Sequence, residues 1–200
     1  MTLKTKRLID ISLAFALAFC IILSMSGFSS ACEDMYRNIV RIRIIANSDS
    51  AEDQNVKLAV RDAVLASSNT LFSDTKSCDD ALCVAKENLD YITAVALNTL
   101  RQNGYNYEVS ARVGSEFFDT RVYDNFTLPA GTYETLVLTL GEGKGENWWC
   151  VMFPTVCVGA AAGELTDSIK DSSAEYALNS SKYVLKFKAV EIFEKIKKII

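Results

Sequence analysis

The 200-residue sequence contains no histidine. This absence excludes Ser-His and Cys-His dyads, histidine-rich zinc sites and the commonest general base near neutral pH. The six cysteines form no Cys-x-x-Cys pair, so neither thioredoxin-like chemistry nor a zinc knuckle is supported. The chain also lacks an excess of basic charge: 25 Asp and Glu against 21 Lys and Arg give a net charge of −4, and an acidic protein binds nucleic acid poorly. Any catalysis would have to use carboxylates, lysine, tyrosine or cysteine.

The N-terminus has the pattern of an export segment. Three basic residues precede an apolar run from Ile11 to Phe28, and this order is typical of a signal peptide. Small residues at Ser29 and Ala31 predict cleavage after residues 1–31. The run is also long enough for a retained anchor that contacts the membrane through residues 8–28. In either case the basic end stays inside and the remainder of the chain is exported.

The stretch that follows predicts a strand and a polar turn. Apolar residues from Val40 to Ile44 alternate with Arg41 and Arg43, which indicates a half-buried strand with one face in water. The segment Asn47–Ser50 has side chains that bond to nearby backbone, which favours a turn and a helix cap.

A helix is predicted to begin directly after this turn. Ser50 is the expected N-cap, and Asp53 stands three residues later, where a capping box places its carboxylate. Asp53 and Lys57 are expected to form an i,i+4 ion pair on the exposed side of the helix.

The remaining pattern predicts a mixture of helices and strands. A long helix is expected around Leu82–Leu100. A closing amphipathic helix is expected over 183–200, with an apolar side made by Leu185, Ala189, Ile192, Phe193, Ile196 and Ile200. Strands are expected at 105–113, 117–123, 133–140 and 148–153. Strands grouped after helices indicate an α+β fold, with a mixed or antiparallel sheet covered by helices on one face.

This reading divides the chain into four parts. After the signal or anchor come an α+β domain at 32–157 and a connection at 158–182. The last part, 183–200, is expected to pack onto the domain, with attachment to a membrane surface as the alternative.

A glycine-rich segment, Gly141–Asn147, resembles a phosphate-binding loop only superficially. That motif needs Ser or Thr after Gly-Lys and then a helix, whereas Gly145 follows Lys144 and a hydrophobic strand comes next. A flexible hairpin loop, able to contact a partner, is the better interpretation.

Export allows cysteines to pair. A disulfide between Cys150 and Cys157 is predicted, because Pro154 and Thr155 between them permit a chain reversal. Two buried thiols are the alternative.

Three blocks of sequence resemble the stage II sporulation protein R family of endospore-forming bacteria. The blocks are Arg43–Gln54 with its continuation to Val64, Leu128–Glu134, and Leu140–Pro154 closing at Cys157. They are long and specific. Ala51 and Thr155 depart from the pattern, since proline is common at both places.

The resemblance implies a signalling protein and not an enzyme. Such proteins are exported into the space between the forespore and mother-cell membranes. There they trigger a membrane-embedded aspartic protease of the mother cell, which cleaves the precursor of the mother-cell sigma factor. No cofactor, metal, nucleic acid or small-molecule substrate is expected.

Two other classes compete with this interpretation. An exported hydrolase of the cell envelope could use paired carboxylates, such as Asp49 with Asp53 or Glu142 with Glu146, if they faced each other across a cleft. A structural or adhesion module would be expected to show repeats or a low-complexity stalk, and the sequence shows neither.

The densest resemblance lies in two polar features, the Asn47-Ser48-Asp49 turn and the loop before Trp148. Both follow apolar strands that would hold them rigidly, and tryptophan is enriched among residues that dominate binding. We therefore predict a partner-binding surface made by Asn47, Asp49, Lys144 and Trp148. The alternative for Asn47 and Asp49 is that they only cap the helix.

Overall fold

The computed structural model describes residues 3–123, 126–154, 171–178 and 183–199. Its elements, in chain order, are α1 (Leu3–Asn38), β1 (Val40–Ile45), α2 (Ala51–Leu71), α3 (Cys78–Glu87), α4 (Leu89–Gln102), β2 (Val109–Phe118), β3 (Arg121–Val122), β4 (Thr127–Leu128), β5 (Gly131–Leu140), β6 (Asn147–Phe153), α5 (Asp171–Leu178) and α6 (Val184–Ile199).

The main sheet has four strands in the order β2-β5-β1-β6. Strand β1 runs parallel to β5 and antiparallel to β6, while β2 and β5 are antiparallel. The sheet is therefore mixed, and the predicted α+β class is confirmed. Strands β5 and β6 are consecutive in sequence but do not pair, because β1 lies between them. The predicted β5–β6 hairpin is thus wrong.

One face of the sheet packs on α2, α3 and α4. Val40, Ile42 and Ile44 of β1 are fully buried there, against a core that includes Val60 and Leu100. The single helix expected over Leu82–Leu100 is instead two helices, because α3 ends and α4 begins at Asn88.

The second face is also covered, which the sequence pattern did not predict. Met35 of α1 and Ile39, which follows the helix directly, pack with Phe118, Leu128 and Val151 in a second buried cluster. Helices therefore lie on both faces of the sheet. The expected wet face of β1 is wrong at Arg41, which is 0% exposed.

Two of the observed strands differ in their bounds from the predicted ones. Strand β2 begins at Val109 and continues to Phe118, four residues later and longer than the alternation over 105–113 suggested. Of the predicted 117–123 strand, only Arg121–Val122 forms a separate strand, β3, which pairs with β4.

Helix α1 is continuous through the predicted cleavage site. From Thr5 to Asn38 it is long and apolar enough to cross a membrane. Its first half is exposed, whereas Phe28, Cys32 and Met35 are at most 2% exposed.

The C-terminal helix α6 packs against the second half of α1. The Phe28 ring meets the rings of Tyr176 in α5 and Phe187 in α6 edge-on, at 4.9 and 5.1 Å. Helix α6 buries Phe187 and Val190, while Leu185 and Ile192, on the side expected to pack, are exposed. Helix α5 lies within the predicted connection, whose residues 158–170 and 179–182 are outside the described residues.

Arg41 is a buried charge with few partners. Its Nη2 donates to Tyr123 Oη at 2.6 Å, and its guanidinium carbon lies 3.7 Å from the centre of the Phe118 ring. Within the part of the chain that the structure describes, its Nε and Nη1 atoms have no hydrogen-bond partner. Burial lowers the pKa of the Arg41 guanidinium. Burying a charge that has no carboxylate partner lowers the free energy of unfolding, because the charge loses its hydration.

We therefore expect Arg41→Met to unfold at the same temperature as the wild type or higher, because an apolar side chain of similar length avoids the desolvation cost. Arg41→Ala should be less stable than Arg41→Met by about 2–5 kcal/mol, because it leaves a cavity. Thermal unfolding in detergent, followed by circular dichroism, measures both. Equal losses in the two variants would show that the charge itself stabilises the fold.

Candidate functional site

Two polar segments that are far apart in sequence meet at the end of β1. One is the turn Ala46–Ser50, and the other is the crossover Gly141–Glu146, which joins β5 to β6. Because β1 lies between these two strands, the crossover passes over the end of β1. We call the contact of these two segments the polar junction.

Every backbone N–H of the crossover donates a hydrogen bond. Four of the six bonds go to the turn: Glu142 N–H to Asn47 Oδ1 (2.9 Å), Lys144 N–H to Asn47 O (3.1 Å), Gly145 N–H to Ala46 O (3.0 Å) and Glu146 N–H to Asp49 Oδ1 (2.6 Å). Gly141 and Gly143 donate to Glu108 O and Leu140 O. The prediction of a flexible loop is therefore wrong, since its backbone is bonded throughout.

Two of the crossover glycines are needed for close approach. Gly141 has φ +56°, and a Cβ there would overlap the carboxamide of Asn47. A Cβ at Gly145 would overlap the backbone carbonyl of Ser48. Gly141 thus leaves room for the Asn47 side chain and Gly145 lets two backbones touch, which explains their place in the sequence without any phosphate.

Asp53 connects the junction to α2. It is 3% exposed, and its carboxylate accepts hydrogen bonds from Ser48 Oγ (2.6 Å), Asn47 Nδ2 (2.9 Å) and Tyr107 Oη (2.6 Å). Its backbone N–H donates to Ser50 Oγ at 3.1 Å, so the predicted cap is present. Burial acts to raise the pKa of Asp53, but the three hydrogen bonds outweigh it and hold the pKa below its ordinary value.

The expected surface pair of Asp53 and Lys57 is wrong. Lys57 is 5% exposed, and its ammonium donates to the Glu146 backbone carbonyl at 3.0 Å and to Gln54 Oε1. Burial lowers the pKa of Lys57. The Lys57 side chain therefore links α2 to the crossover. The oxygens of Asp53 already accept hydrogen bonds from neutral donors.

The structure unites three of the four predicted site residues. Asn47 is a positioning residue, with its amide oxygen on the Glu142 N–H and its amide nitrogen on Asp53. Asp49 is exposed and uses one oxygen on the Glu146 N–H. The Lys144 side chain is 74% exposed and pairs with Glu142 at 2.7 Å, which raises the pKa of Lys144.

Trp148 lies apart from those three, on β6 opposite Ile44. It is half-buried against the helix-side core, and the Arg61 guanidinium carbon of α2 lies 5.4 Å from its ring centre. In sequence, Asn147 separates it from the last residue of the crossover.

The alternative of paired catalytic carboxylates gains no geometric support here. Both oxygens of Asp53 are occupied, and Glu142 is paired with Lys144. Among the described residues, no group of three or more His, Cys, Asp or Glu side chains is arranged to hold a metal ion.

Cys150 is buried in β6, facing the helix-side core. Its predicted partner Cys157 lies outside the described residues. The disulfide therefore stays a prediction.

Sequence reasoning missed several residues of the junction. Tyr107, which lies just before β2, and Lys57 of α2 both contact the junction. The Gln54 side chain donates to Ser48 O at 2.9 Å. The i,i+4 spacing of Asp53 and Lys57 predicted an ion pair within the helix, and so it gave no sign that either side chain contacts the crossover or the turn. Only the strand order, which no local pattern carries, brings residues 47 and 142 together.

The fold and the junction define a class of protein: a mixed-sheet α+β domain that follows an apolar N-terminal helix and carries a polar surface with a hydrogen-bonded backbone. Comparison with known proteins makes this more specific. The family model described as Stage II sporulation protein R (spore_II_R) matches residues 36–162.

A curated relative, the Stage II sporulation protein R of Bacillus subtilis (strain 168), is 40% identical over 136 residues. The match covers 68% of this chain and 61% of the relative. No solved structure matches. The chain belongs to the stage II sporulation protein R family, and its role is in sporulation.

Removing the close approach in the junction should destabilise the fold. Gly141→Ala would add backbone strain and an overlap with Asn47, whereas Gly104→Ala, also at positive φ (+85°), would add strain alone because its site is open. Strain of this kind costs about 1–3 kcal/mol. We expect a larger fall in melting temperature for Gly141→Ala than for the Gly104→Ala control. Equal falls would mean that the contact with Asn47 is unimportant.

The Asp53 network should make stability depend on pH. Because its folded pKa lies below the ordinary 3.8, the carboxylate stabilises the fold fully above about pH 3.8 and progressively less as pH falls through the folded pKa. Asp53→Asn lacks this contribution. The difference in unfolding free energy between wild type and variant should therefore shrink from pH 6 to pH 2, as measured by urea unfolding. A constant difference would show that the charge of Asp53 does not stabilise the fold.

Proposed function

We propose that this chain is an exported sporulation signal that triggers a membrane-embedded aspartic protease of the mother cell, which then cleaves the precursor of the mother-cell sigma factor. The proposed location is the space between the forespore and mother-cell membranes. Family membership supports the role in sporulation, and the apolar N-terminal helix is compatible with export. In this proposal the chain performs no catalysis itself.

We further propose that the N-terminal helix is retained as a membrane anchor. Cleavage after Ala31 would cut a helix at a point where Ala31 and Cys32 are at most 3% exposed. It would also remove Phe28, whose ring contacts both α5 and α6. Fully burying a phenylalanine side chain contributes about 1.5–3 kcal/mol, so the cleaved domain would lose a substantial part of its stability.

The position of the polar junction carries the proposal for the partner surface. Tyr36 near the end of α1 donates to Ala130 O at 2.6 Å, just before β5 begins, and β1 begins just after α1. Since β1 and β5 are parallel, both lead away from the anchor helix toward the junction, over about 20 Å of strand. An anchored chain would thus hold the junction away from its own membrane, toward a partner in the opposite one.

Within the junction, we propose that Asp49, Lys144 and the outer face of Trp148 contact the external part of the protease. Asp49 and Lys144 are exposed; the Lys144 backbone N–H donates to Asn47 O, and the Asp49 carboxylate accepts from the Glu146 N–H. Groups held by such bonds before binding lose less conformational freedom on binding, which favours recognition. Asn47 positions this surface through its hydrogen bonds to Glu142 and Asp53, and in this proposal it does not contact the partner.

The test is precursor cleavage in sporulating cells. Asp49→Asn keeps the oxygen that accepts from Glu146 but removes the charge, and Lys144→Ala removes the other charge. We expect both variants to melt near the wild type, Trp148→Leu to fold but to melt lower because Trp148 packs on the core, and all three to lose sigma-factor precursor cleavage. Asp74→Asn and Lys86→Ala, which alter exposed charges outside the junction, are the matched controls and should signal normally. If all three junction variants fold and support normal cleavage, the proposed surface is wrong.

A further inference from the structure

The first turn of α6 lies beside the apolar run of α1. A groove of about 640 Å³ between the two helices is lined by Ile21, Ser24 and Met25 of α1 and by Val184, Leu185 and Lys186 of α6. Val184 is 56% exposed and Leu185 is 84% exposed. Two large apolar side chains of α6 therefore border the part of α1 that an anchored chain places in lipid.

The contact between Phe28 and Phe187 fixes the level of this groove. Phe28 ends the apolar run, and its ring meets the Phe187 ring at 5.1 Å. Helix α6 runs in the same direction as α1, since Val190, further along α6, lies beside Cys32, further along α1. The residues before Phe187 therefore lie on the membrane side of this contact, and the residues after it lie on the domain side.

The helix lengths place the start of α6 at the edge of the hydrocarbon. Residues 8–28 form about 30 Å of helix, which equals the thickness of the hydrocarbon core. Leu185 precedes Phe187 by two residues, or about 3 Å, so it lies just inside the outer edge. Ile196 follows Phe187 by nine residues, or about 14 Å, so it lies well outside that edge.

The other side chains at this level are of the kinds found where a membrane meets water. The rings of Tyr176 and Tyr183 lie 4.6 Å apart, and Lys186 Nζ lies 5.2 and 5.4 Å from their centres. Tyrosine is enriched at the membrane–water interface, and lysine can keep its apolar stem in hydrocarbon. Lys186 Nζ also donates to Ser24 O at 3.3 Å, so a protein acceptor already holds its ammonium group.

We propose that the start of α6 docks on the lipid bilayer that holds α1, with Val184 and Leu185 inserted among the outermost segments of the acyl chains. This inference rests on the anchored location proposed above. Lipid is the occupant because the groove is continuous with a run that lipid surrounds. A second copy of the chain would have to displace that lipid before it reached the groove.

The contact is apolar and does not depend on anionic lipid. Lys188 is paired with Glu191, and Lys195 is paired with Glu191 and Asp119. Lys195 also lies about 12 Å beyond Phe187 on the domain side, too far along the helix to reach the hydrocarbon edge. This arrangement differs from attachment through the basic end of the helix, and neutral phosphatidylcholine is sufficient for it.

Docking gives the domain a second point of attachment to its membrane. A single anchor helix leaves the domain free to tilt and to rotate about the helix axis. Because α1 already holds the chain at the bilayer, two side chains suffice for docking, since their effective concentration at the surface is high. The docked domain presents one fixed side to its own membrane and so holds the polar junction in one orientation.

The test uses the full chain, including α1, in phosphatidylcholine vesicles. Cys20→Ala and Cys83→Ser first remove the exposed free thiols. A nitrobenzoxadiazole label is then attached at Leu185→Cys or, as the matched control, at Ile196→Cys, which lies about three full turns later on the same face of α6. Lipids that carry a nitroxide on the upper part of the acyl chain should quench the label at Leu185→Cys and leave the label at Ile196→Cys unquenched.

A second pair of variants tests whether Leu185 itself holds the contact, with the label at Val184→Cys. Burying a leucine side chain is worth about tenfold or more in an equilibrium constant, so Leu185→Asp should lower the ratio of docked to free domain by at least that factor. Ile196→Asp, the matched control, should leave the quenching unchanged. A carboxylate in the first turn of a helix is favourable, so the circular dichroism of Leu185→Asp should match that of the parent chain.

Equal quenching at Leu185→Cys and Ile196→Cys, or none at either, overturns the proposal. So does quenching that appears only after phosphatidylglycerol is added, or that survives Leu185→Asp. A disulfide between two Leu185→Cys chains without quenching would overturn it by placing a second copy in the groove. The purified chain keeps α1 and no readout uses sigma-factor cleavage, so the failure of docking and the failure of the signalling proposal are distinguishable. Loss of the anchor in cells is read separately, from the size of the chain.

Discussion

The hydrogen bonds between the crossover and the turn after β1 are the constraint on which the candidate surface depends. Four N–H groups of the crossover reach the turn, and they include those of both Lys144 and Glu146. Asn47 is central, because its side chain bonds the crossover on one side and Asp53 on the other. Through Asp53 and Lys57, the same contacts extend to α2 and so to the helix-side core.

This arrangement turns a glycine-rich segment into a rigid one. Glycine ordinarily makes a chain more flexible, but here it allows backbone to approach backbone closely enough to bond. The result is a surface whose exposed charges, Asp49 and Lys144, belong to two segments that are hydrogen-bonded to each other. For a protein proposed to act by contact and not by catalysis, a preorganised surface lowers the entropy lost on binding.

Much of the fold could be predicted from the sequence, and the failures share one physical cause. The α+β class, the Ser50 cap and the internal position of β5 follow from local patterns. Arg41 and Lys57 were placed in water because local alternation cannot reveal what covers the second side of a strand or helix. Arg41 is buried against Phe118 and Tyr123, and Lys57 against the crossover, all of which are distant in sequence.

The two segments of the candidate site could be predicted from the sequence, but their contact with each other could not. Sequence blocks pointed to the turn and to the glycine-rich segment as separate features, and the structure shows them to be one. The insertion of β1 between β5 and β6 brings them together, and pairing order is a non-local property that spacing does not encode. Family membership supports a role in sporulation, but it does not say which residues carry that role.

Amide hydrogen exchange of the full chain tests the central claim, that the crossover is locked to the turn. The account predicts that the amides of Glu142, Lys144, Gly145 and Glu146 exchange as slowly as those of the neighbouring strand β5, because each donates to the turn. It also predicts that Asn47→Ala speeds exchange at Glu142 most, since that amide bonds to the Asn47 side chain. Exchange at these four amides as fast as in an unstructured loop would contradict the account.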